Sequence, residues 1–447
     1  MKNTPVFKLL PLVALLIAPL QGVQAASDEE VAELREMVMQ LAAEVQSLKA
    51  QLAEKEARRD VTVPQLTQKE SPITKPVDKP AVAGVSSKYG LSFYGYFKLD
   101  AFYDSGLTSH QEIPFWVRPD TGTNGGSLDM TAKETRLGMN FAGPTVRDGE
   151  VTGKLEMDFY GNINTPSNLG GNHGFQLRTR HAYLNWDFGD WSLLAGKTWE
   201  PYLIEIPQTL NFGYYNFMGQ LGLRKTQLRF TKKAGDFELV GAITAPVGGT
   251  TGADLDGDMQ DDAVDSEQPV IAGKILYKTP VLTDQPASFG VSFVHGEERI
   301  DKPIVGSPDD YAAWAVTAAM NLPITDQVSL KASLFKGSNL DGYWGGIAQG
   351  INLAKGTGID GQGGWAQLQI RPTADMTFNF GYGQDNPDDE DLSAGGRTYN
   401  EFYQANFYYS FDPSLLWGIE YFKQETGYKG SSAAKNDHVH TSLIYKF

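Results

Sequence analysis

Charged residues recur at every second position in several segments whose intervening residues are apolar. Lys98 and Asp100 stand two apart in one such segment, and Lys154, Glu156 and Asp158 form a row in another. In a β-strand, side chains two residues apart project from the same face. The spacing therefore predicts strands with one apolar and one charged face. The chemistry open to a charged face of this kind is attraction or repulsion of ions and polar solutes.

Seven charged residues are candidates for the lining of a pore. A charge on the lipid face of a membrane-spanning strand costs roughly 2–4 kcal/mol at mid-depth, so charged residues near strand centres are expected to face the lumen. The basic candidates are Lys98, Arg136, Lys154 and Arg229, and the acidic candidates are Asp100, Glu156 and Asp158. Two arrangements are open. The carboxylates oppose the basic residues across the lumen and produce a transverse field, or the two sets pair with each other.

Two further arginines, Arg178 and Arg180, conflict with this rule. A continuous register turns Ala182 and Leu184 toward lipid, and the same parity turns both arginines outward. A β-bulge would return them to the lumen. Otherwise they lie at the outer rim near lipid phosphates or in a subunit contact, and the sequence leaves these alternatives open.

The third long connection, from about Glu200 to Gly222, is unusually apolar and aromatic for a surface loop. A loop that folds into the barrel and packs on its wall would bury these groups and narrow the channel. A loop that packs against a neighbouring subunit would bury them as well. For the first case, the candidate constriction residues are Glu200, Glu205, Tyr214 and Tyr215.

Hydrolytic chemistry finds little support in the sequence. Neither a Gly-x-Ser-x-Gly elbow nor a His-Glu-x-x-His motif occurs, and the six histidines are scattered. We therefore predict that the protein is not an enzyme. An Asp and a His found close together at the outer rim would reopen the question.

Asp254, Asp256 and Asp258 belong to an acidic stretch that resembles a calcium loop. The EF-hand pattern requires Gly at the sixth position and Glu at the twelfth, and here these positions hold Met259 and Asp265. The stretch is therefore not an EF-hand. It is either a solvated acidic outer loop or a calcium site, and no other cofactor is expected.

A predicted barrel over residues 89–447 positions these residues. Alternating segments recur sixteen times, with fourteen or eighteen strands as the alternatives, and short connections alternate with long ones, as in outer-membrane barrels. No apolar run after the N-terminal region is long enough for a membrane helix, so a membrane-spanning chain must cross with strands. The predicted fold class is an all-β membrane protein: a 16-stranded antiparallel transmembrane β-barrel with an N-terminal α-helical coiled coil.

Both ends of the chain indicate export to the outer membrane of a Gram-negative bacterium. Lys2 and Lys8 flank a short polar stretch, an apolar run follows from Leu9 to Leu20, and small residues precede a cleavage point near Ala25. This pattern predicts a signal peptide over residues 1–25. The last alternating segment ends on Phe447 and resembles the terminal strands that barrel-assembly machinery recognises.

Residues 26–59 carry a heptad seam, in which apolar residues recur at spacings of three and four from Val31 to Leu52. This seam predicts a parallel coiled coil in the periplasm. A single amphipathic helix docked on another surface is the alternative. Residues 60–88 contain prolines among polar residues and are predicted to form an extended linker.

The charge of the chain excludes one class of partner. The formal net charge is -16 at pH 7, which argues against nucleic acid. The expected partners are small hydrophilic or anionic solutes inside the channel, with outer-membrane lipid and lipopolysaccharide around it.

The layout of the chain and three short segments resemble the DcaP-like outer-membrane porins. The segments are Tyr94–Ala101, Glu134–Gly138 and Leu194–Trp199. The resemblance covers the whole mature chain in layout, and none of the segments is a catalytic signature. It implies a homotrimer with a periplasmic coiled coil and a channel that takes up small anions such as dicarboxylates.

Two other functions fit the same barrel. In a sugar-type porin, aromatic residues of the lumen would stack on sugar rings; the candidates are Tyr94, Tyr96, Tyr160, Trp365 and Tyr408. In a tether, the coiled coil would attach the barrel to peptidoglycan through Arg58, Arg59 and Lys69, and the pore would be secondary. The sequence favours a porin for small, anionic solutes.

Overall fold

The structure is a computed structural model that describes residues 89–110, 112–120, 122, 126–161, 175–246, 254–257, 259–301 and 308–447. The predicted signal peptide (1–25), coiled coil (26–59) and linker (60–88) lie outside these residues, as does Asp258.

Nearly all regular structure in the described residues is β-strand. The strands are β1 (Gly90–Asp104), β2 (Ser127–Thr131), β3 (Arg136–Val146), β4 (Gly149–Asp158), β5 (Arg178–Asp187), β6 (Trp191–Trp199), β7 (Arg224–Ala234), β8 (Phe237–Thr244), β9 (Val270–Pro280), β10 (Pro286–Arg299), β11 (Asp310–Pro323), β12 (Val328–Ser338), β13 (Ile351–Asn352), β14 (Thr357–Gly358), β15 (Asp360–Ile370), β16 (Met376–Pro387), β17 (Arg397–Ser410), β18 (Leu415–Tyr428) and β19 (Ser431–Lys446). A single helical turn spans Asp262–Asp265, and a 3-10 turn spans Asp341–Tyr343. No helix in the described ranges is both long and apolar enough to cross a membrane.

Strand pairing closes the sheet into a barrel. Strands pair antiparallel with the next along the chain, except that β2 and β3 both pair with β1 and β12 pairs with β15. Pairing of β1 with β19 closes the ring. The short strands β2 and β3 lie end to end along β1 and act as one wall strand, whereas β13 and β14 form a separate hairpin in a loop. The wall therefore has sixteen antiparallel strands, which confirms the predicted barrel.

The predicted second strand, which was expected to begin near Thr131, is interrupted. It breaks at residues 132–135 because two charged side chains there reach buried partners. Lys133 Nζ donates to Glu112 at 2.5 Å, and the side chain of Glu134 accepts from Lys98. A continuous strand would turn one of two adjacent residues such as these toward the other face of the sheet.

The exposure of side chains alternates along the wall strands. In β1, Phe93 and Phe97 are exposed, whereas Lys98 and Asp100 are buried inside the barrel. Exposed apolar side chains therefore cover the outer face, and charged and polar side chains line the lumen. This is the inverse of a soluble β-sandwich and the arrangement that a lipid surround stabilises.

The two ends of the barrel differ in the length of their connections. At one end the strands are joined by short turns such as Arg147-Asp148, where both residues have positive φ as in a type I′ turn. At the other end the connections are longer, and three of them enter the lumen.

Candidate pore constriction

The loop of residues 200–223, between β6 and β7, folds into the barrel and crosses the lumen. We call it the constriction loop. Its apolar side chains are buried against the inner wall and other loops; they include Tyr202, Leu210, Phe212, Tyr215, Phe217 and Met218. The structure thus places this loop inside its own barrel, as the first of the two alternatives from the sequence requires.

Glu200 closes the base of the constriction loop. Its carboxylate accepts hydrogen bonds from the Tyr202 hydroxyl at 2.5 Å and from the Leu223 backbone N–H at 2.9 Å. Lys225 Nζ lies 3.5 Å from the same carboxylate. Glu200 therefore joins the two ends of the loop and does not face open solvent.

Glu420 on β18 anchors the middle of the loop. Its two oxygens accept from the backbone N–H groups of Leu210 at 2.9 Å and Asn211 at 2.8 Å. The same carboxylate accepts from Gln404 Nε2 at 2.7 Å and Asn406 Nδ2 at 2.9 Å. Because hydrogen bonds to a charged group are stronger than neutral ones, this buried carboxylate is the strongest single attachment of the loop to the wall.

A row of amide side chains on β15, β16 and β17 continues the attachment. The carbonyl oxygen of Gln208 accepts from Gln367 Nε2 at 3.0 Å and Asn406 Nδ2 at 3.0 Å. On the other side, the Leu210 carbonyl accepts from Lys98 Nζ at 2.6 Å. We call this inner face the amide wall; its members are Gln367, Gln369, Asn379, Gln404, Asn406 and Glu420.

Glycines let the loop backbone approach the amide wall. A Cβ atom on Gly383 would lie 2.4 Å from the Met218 carbonyl oxygen, and one on Gly381 would lie 2.4 Å from the Tyr215 hydroxyl. Either atom would displace the loop. Three loop residues with positive φ (Tyr214, Tyr215 and Phe217) show that the backbone turns tightly here.

Two other long loops enter the lumen and pack on the constriction loop. Phe115 contributes from the loop after β1, and Trp344 contributes from the loop after β12. The Phe115 ring lies 5.4 Å from Phe217 and 5.6 Å from Trp344, and the Phe217 and Trp344 rings stack at 5.4 Å. The sequence predicts one inward loop, whereas three loops build the constriction in the described residues.

A β-bulge places Arg178 and Arg180 in the lumen. The pairing of β4 with β5 shifts between Glu156 and Met157, so Arg180 falls on the extra residue. Both arginines then reach carboxylates of β4. Arg178 binds Asp158 at 2.5 Å, and Arg180 binds Glu156 at 2.8 Å and Asp158 at 2.9 Å. Of the alternatives for these residues, the structure shows the bulge.

The acidic candidates lie among the basic ones. Arg136 Nε is 3.5 Å from Glu156, Lys154 Nζ is 3.9 Å from the same carboxylate, and Lys98 Nζ is 3.3 Å from Asp100. The idea that Asp100, Glu156 and Asp158 oppose the basic residues across the lumen is therefore wrong. These strands are neighbours, so inward residues of opposite charge meet side by side on one wall.

Arginines outnumber carboxylates on this part of the wall. Arg229 forms no ion pair in the described residues, and its guanidinium donates to Gln227 Oε1 at 2.9 Å and to the Trp199 carbonyl. Arg224, which the sequence analysis did not single out, is buried, and its guanidinium lies 4.2 Å from the centre of the Trp199 ring. We call the set the basic wall; it comprises Arg136, Lys154, Arg178, Arg180, Arg224 and Arg229, with the carboxylates Glu134, Glu156 and Asp158.

The other predicted loop residues divide between the two walls. Tyr214 is partly exposed and lies beside Trp199, with ring centres 6.2 Å apart. Tyr215 is buried against Phe402 of the amide wall side, with ring centres 4.3 Å apart. Glu205 accepts from the Ser288 hydroxyl at 3.0 Å and lies near β10. Tyr214 thus faces the basic wall, whereas Tyr215 fixes the loop.

The five aromatic candidates for a sugar-porin track do not line up along the lumen. Tyr160, Trp365 and Tyr408 are buried beneath loops. The hydroxyls of the other two candidates are used locally: Tyr94 donates to Glu156 at 2.8 Å, and Tyr96 donates to Glu134 at 3.1 Å. Five aromatic lumen positions therefore do not make a continuous exposed surface.

Asp, His and Ser side chains do meet in the lumen, where β1 pairs with β19. His440 Nε2 lies 2.9 Å from Asp100, and the Ser442 hydroxyl donates to the same Asp100 oxygen at 2.5 Å. In a catalytic triad the imidazole bridges the Ser and the Asp through its two nitrogens. Here Nε2 faces both groups and Nδ1 has no hydrogen-bond partner in the described residues, so the geometry is not that of a triad.

Asp254 and Asp256 lie together in the outer loop after β8, as the calcium hypothesis requires. The third carboxylate beside them is Asp262, whereas Asp258 lies outside the described residues.

Comparison with solved structures shows that porins share this architecture. The outer membrane channel DcaP of Acinetobacter baumannii superimposes with a TM-score of 0.67 at 21% identity, over 81% of this chain and 99% of that one. OmpF of Salmonella typhi, in complex with daunomycin, gives 0.55 at 11% identity over 80% and 97% of the two chains. An anion-selective porin from Comamonas acidovorans gives 0.54 at 11% identity over 80% and 100%.

No curated protein matches the chain in sequence. A family model does match it, over residues 17–247, which is more than half of the chain, and that model describes the DcaP outer membrane protein. Together with the closed sixteen-stranded barrel and its inward loop, this match shows that the chain belongs to the DcaP family of outer membrane proteins.

Proposed function

We propose that the chain forms a water-filled channel that favours small anionic solutes, dicarboxylates among them. The observation that carries the proposal is the excess of positive charge at the constriction. Arg224 and Arg229 form no ion pair with a carboxylate in the described residues, and Nη1 of the buried Arg224 has no hydrogen-bond partner there. A positive charge without a counter-ion attracts anions into a narrow, poorly solvated passage.

The position of the constriction loop directs solutes past these charges. The loop is fixed to the amide wall by hydrogen bonds, so that side of the lumen is filled with protein. On the opposite side, Lys154, Arg136 and Arg178 keep 29%, 15% and 17% of their side-chain surface exposed. Phe212 of the constriction loop also contacts this wall, with its ring centre 4.6 Å from the Arg178 guanidinium. A passing anion would therefore meet the partly exposed cationic groups beside that contact.

The porin of similar fold from Comamonas acidovorans is described as anion-selective. At 11% identity that likeness concerns the fold alone, so the proposal depends on the basic residues of this chain.

The test is the reversal potential of the purified full chain in a planar bilayer under a tenfold KCl gradient. The wild type is expected to give an anion-selective potential, and Arg136→Gln combined with Arg178→Gln is expected to move it toward zero. Lys232→Gln is the matched control, because Lys232 pairs with Asp190 at an exposed turn between strands. A cation-selective wild type, or an equal shift in the control, would contradict the proposal.

The same bilayers address the solute class and the assembly. Replacing chloride by succinate on one side is expected to retain most of the anion current if dicarboxylates pass. Closure in three equal conductance steps is expected for the homotrimer that the family resemblance implies. Closure in one step would reject the homotrimer, and loss of current in succinate would reject dicarboxylate passage. Neither result would contradict the proposal that the chain forms a channel.

The exposed apolar bands of the wall strands support an outer-membrane lipid environment with lipopolysaccharide around the outer rim. An even number of strands brings the first and the last barrel strand to the same side of the membrane. For a chain exported through a signal peptide, that side is the periplasm, where the coiled coil is proposed to reside. Protease protection of a tag inserted directly after the predicted cleavage point near Ala25, measured in intact cells, and its loss on permeabilisation, tests this orientation.

A further inference from the structure

Three carboxylates converge in the outer loop between β8 and β9. One carboxylate oxygen each of Asp254, Asp256 and Asp262 lies within 4.8 Å of the others. Oxygen ligands bind Ca²⁺ at about 2.3–2.6 Å, so two ligands on opposite sides of the ion are about 5 Å apart. The spacing of the three oxygens therefore fits one ion of this size.

Asp262 supplies a second, separate observation. Its side chain is fully buried, at 0% exposure, and a single helical turn capped by Asp261 fixes its direction. One carboxylate oxygen accepts from the Leu255 N–H at 2.9 Å. The other, Oδ1, has no hydrogen-bond partner in the described residues. A buried carboxylate oxygen without a donor is costly, and a cation bound by this carboxylate would offset that cost.

The surroundings of Asp262 are acidic. Glu298 on β10 is buried beneath the helical turn, and neither Glu298 nor Asp262 forms an ion pair with Lys or Arg in the part of the chain that the structure describes. A cation from solution would therefore balance the charge of these two carboxylates, which no Lys or Arg of the described residues does.

We propose that Asp254, Asp256 and Asp262 bind one Ca²⁺ ion at the outer mouth of the barrel, with water completing its coordination shell. Hard carboxylate oxygens select Ca²⁺, Mg²⁺ or Mn²⁺ over softer metals. Among these, Ca²⁺ fits best, because Mg²⁺ requires oxygens at about 2.0–2.1 Å in a near-ideal octahedron. The ion joins the start of the loop to the helical turn that packs on β10, and so orders the outer mouth.

We expect a dissociation constant of about 10⁻⁴–10⁻³ M, as in extracellular calcium modules, for a site on the outer side of the cell. The test is isothermal titration calorimetry of the full, detergent-solubilised chain with CaCl₂ after removal of divalent ions with chelator. We expect one Ca²⁺ per chain and at least a tenfold weaker affinity in Asp262→Asn. Asp389→Asn, which removes an exposed carboxylate from another outer loop, should bind as the wild type does.

Absence of one-to-one binding at about 10 mM Ca²⁺ would overturn the site, because this concentration is roughly ten times the largest expected dissociation constant. Equal weakening in both variants would also overturn it, since that result shows only diffuse attraction to acidic loops. Mg²⁺ binding as tight as Ca²⁺ binding would reject the choice of ion. Folding is checked by heat-modifiable mobility, and Asp256→Asn serves as the second site variant if Asp262→Asn does not fold.

Discussion

Replacement of Glu420 is expected to release the constriction loop from the wall. The carboxylate accepts four hydrogen bonds, two from loop backbone N–H groups and two from the amide wall. Glu420→Ala removes all four acceptors. Glu420→Gln keeps one acceptor oxygen, but turns an NH₂ group toward at least one donor, because an amide has only one oxygen.

The magnitude follows from the number of donors left without a partner. A buried donor that loses its acceptor costs about 1–3 kcal/mol, so Glu420→Gln is expected to weaken the attachment by about 2 kcal/mol. Since 1.4 kcal/mol is a factor of ten, this raises the population of detached loops roughly thirtyfold. Glu420→Ala, with four donors affected, is expected to cost at least about 4 kcal/mol before water enters the space.

Single-channel recording distinguishes these states. A detached loop widens the passage, so Glu420→Ala should show a larger and noisier open-channel conductance, with Glu420→Gln between it and the wild type. Glu425→Gln is the matched control, since Glu425 lies on the same strand and pairs with Lys435 at 3.1 Å, away from the loop. Wild-type conductance and noise in a folded Glu420→Ala protein would refute the role assigned to this carboxylate.

Two further predictions concern the inward loops. Gly383→Ala should raise conductance noise as Glu420→Gln does, because its Cβ would meet the Met218 carbonyl at 2.4 Å, whereas Gly241→Ala, with no atom within 4 Å, should leave the channel unchanged. Burial raises the pKa of Asp341, in the inward loop after β12, to about 6, above an unfolded value of about 3.9. Its stabilisation of that loop is therefore complete below about pH 4 and lost as the pH rises through about 6. Because the buried carboxylate of Asp385 also lies against residues 345–347 of this loop, the comparison is made in an Asp385→Asn background. Hydrogen exchange of residues 339–359, normalised to intrinsic rates, should show the loss in Asp385→Asn and not in the double variant with Asp341→Asn; an equal pH dependence in the two would contradict it.

Most of the wall could be predicted from the sequence because the lipid face imposes a strict period of two. Phe93, Phe97 and Leu99 must face outward together, and this fixes Lys98 and Asp100 inside. The same rule assigns every side chain of β1 to the correct face, but it does not decide which face Arg178 and Arg180 lie on. A bulge changes parity by one residue, and no local sequence signal reports the shift in register between Glu156 and Met157.

The loops could be predicted only in part because their partners are distant in the chain. The aromatic content of residues 200–222 predicts one inward loop, but the other two inward loops carry only the short aromatic pairs Phe115-Trp116 and Tyr343-Trp344. Glu420 is separated from Leu210 by 210 residues, so its role as an anchor has no local pattern. Glycines on inward-facing wall positions, such as Gly381 and Gly383, are the one available signal, since a wall strand loses packing there unless another backbone approaches.

The proposed anion selectivity depends on both walls of the lumen. On the amide wall, Glu420 and its neighbours are satisfied by the loop, so this side offers a solute little charge or space. On the basic wall, Arg224 and Arg229 lack carboxylate partners in the described residues, so this side keeps its positive charge. Detaching the loop would let ions pass along the amide wall, and anion preference would fall although every arginine remained. Loss of Arg136 and Arg178 lowers the same preference while the passage stays narrow. The two perturbations therefore share a change in reversal potential but differ in conductance, which rises in the first and not in the second.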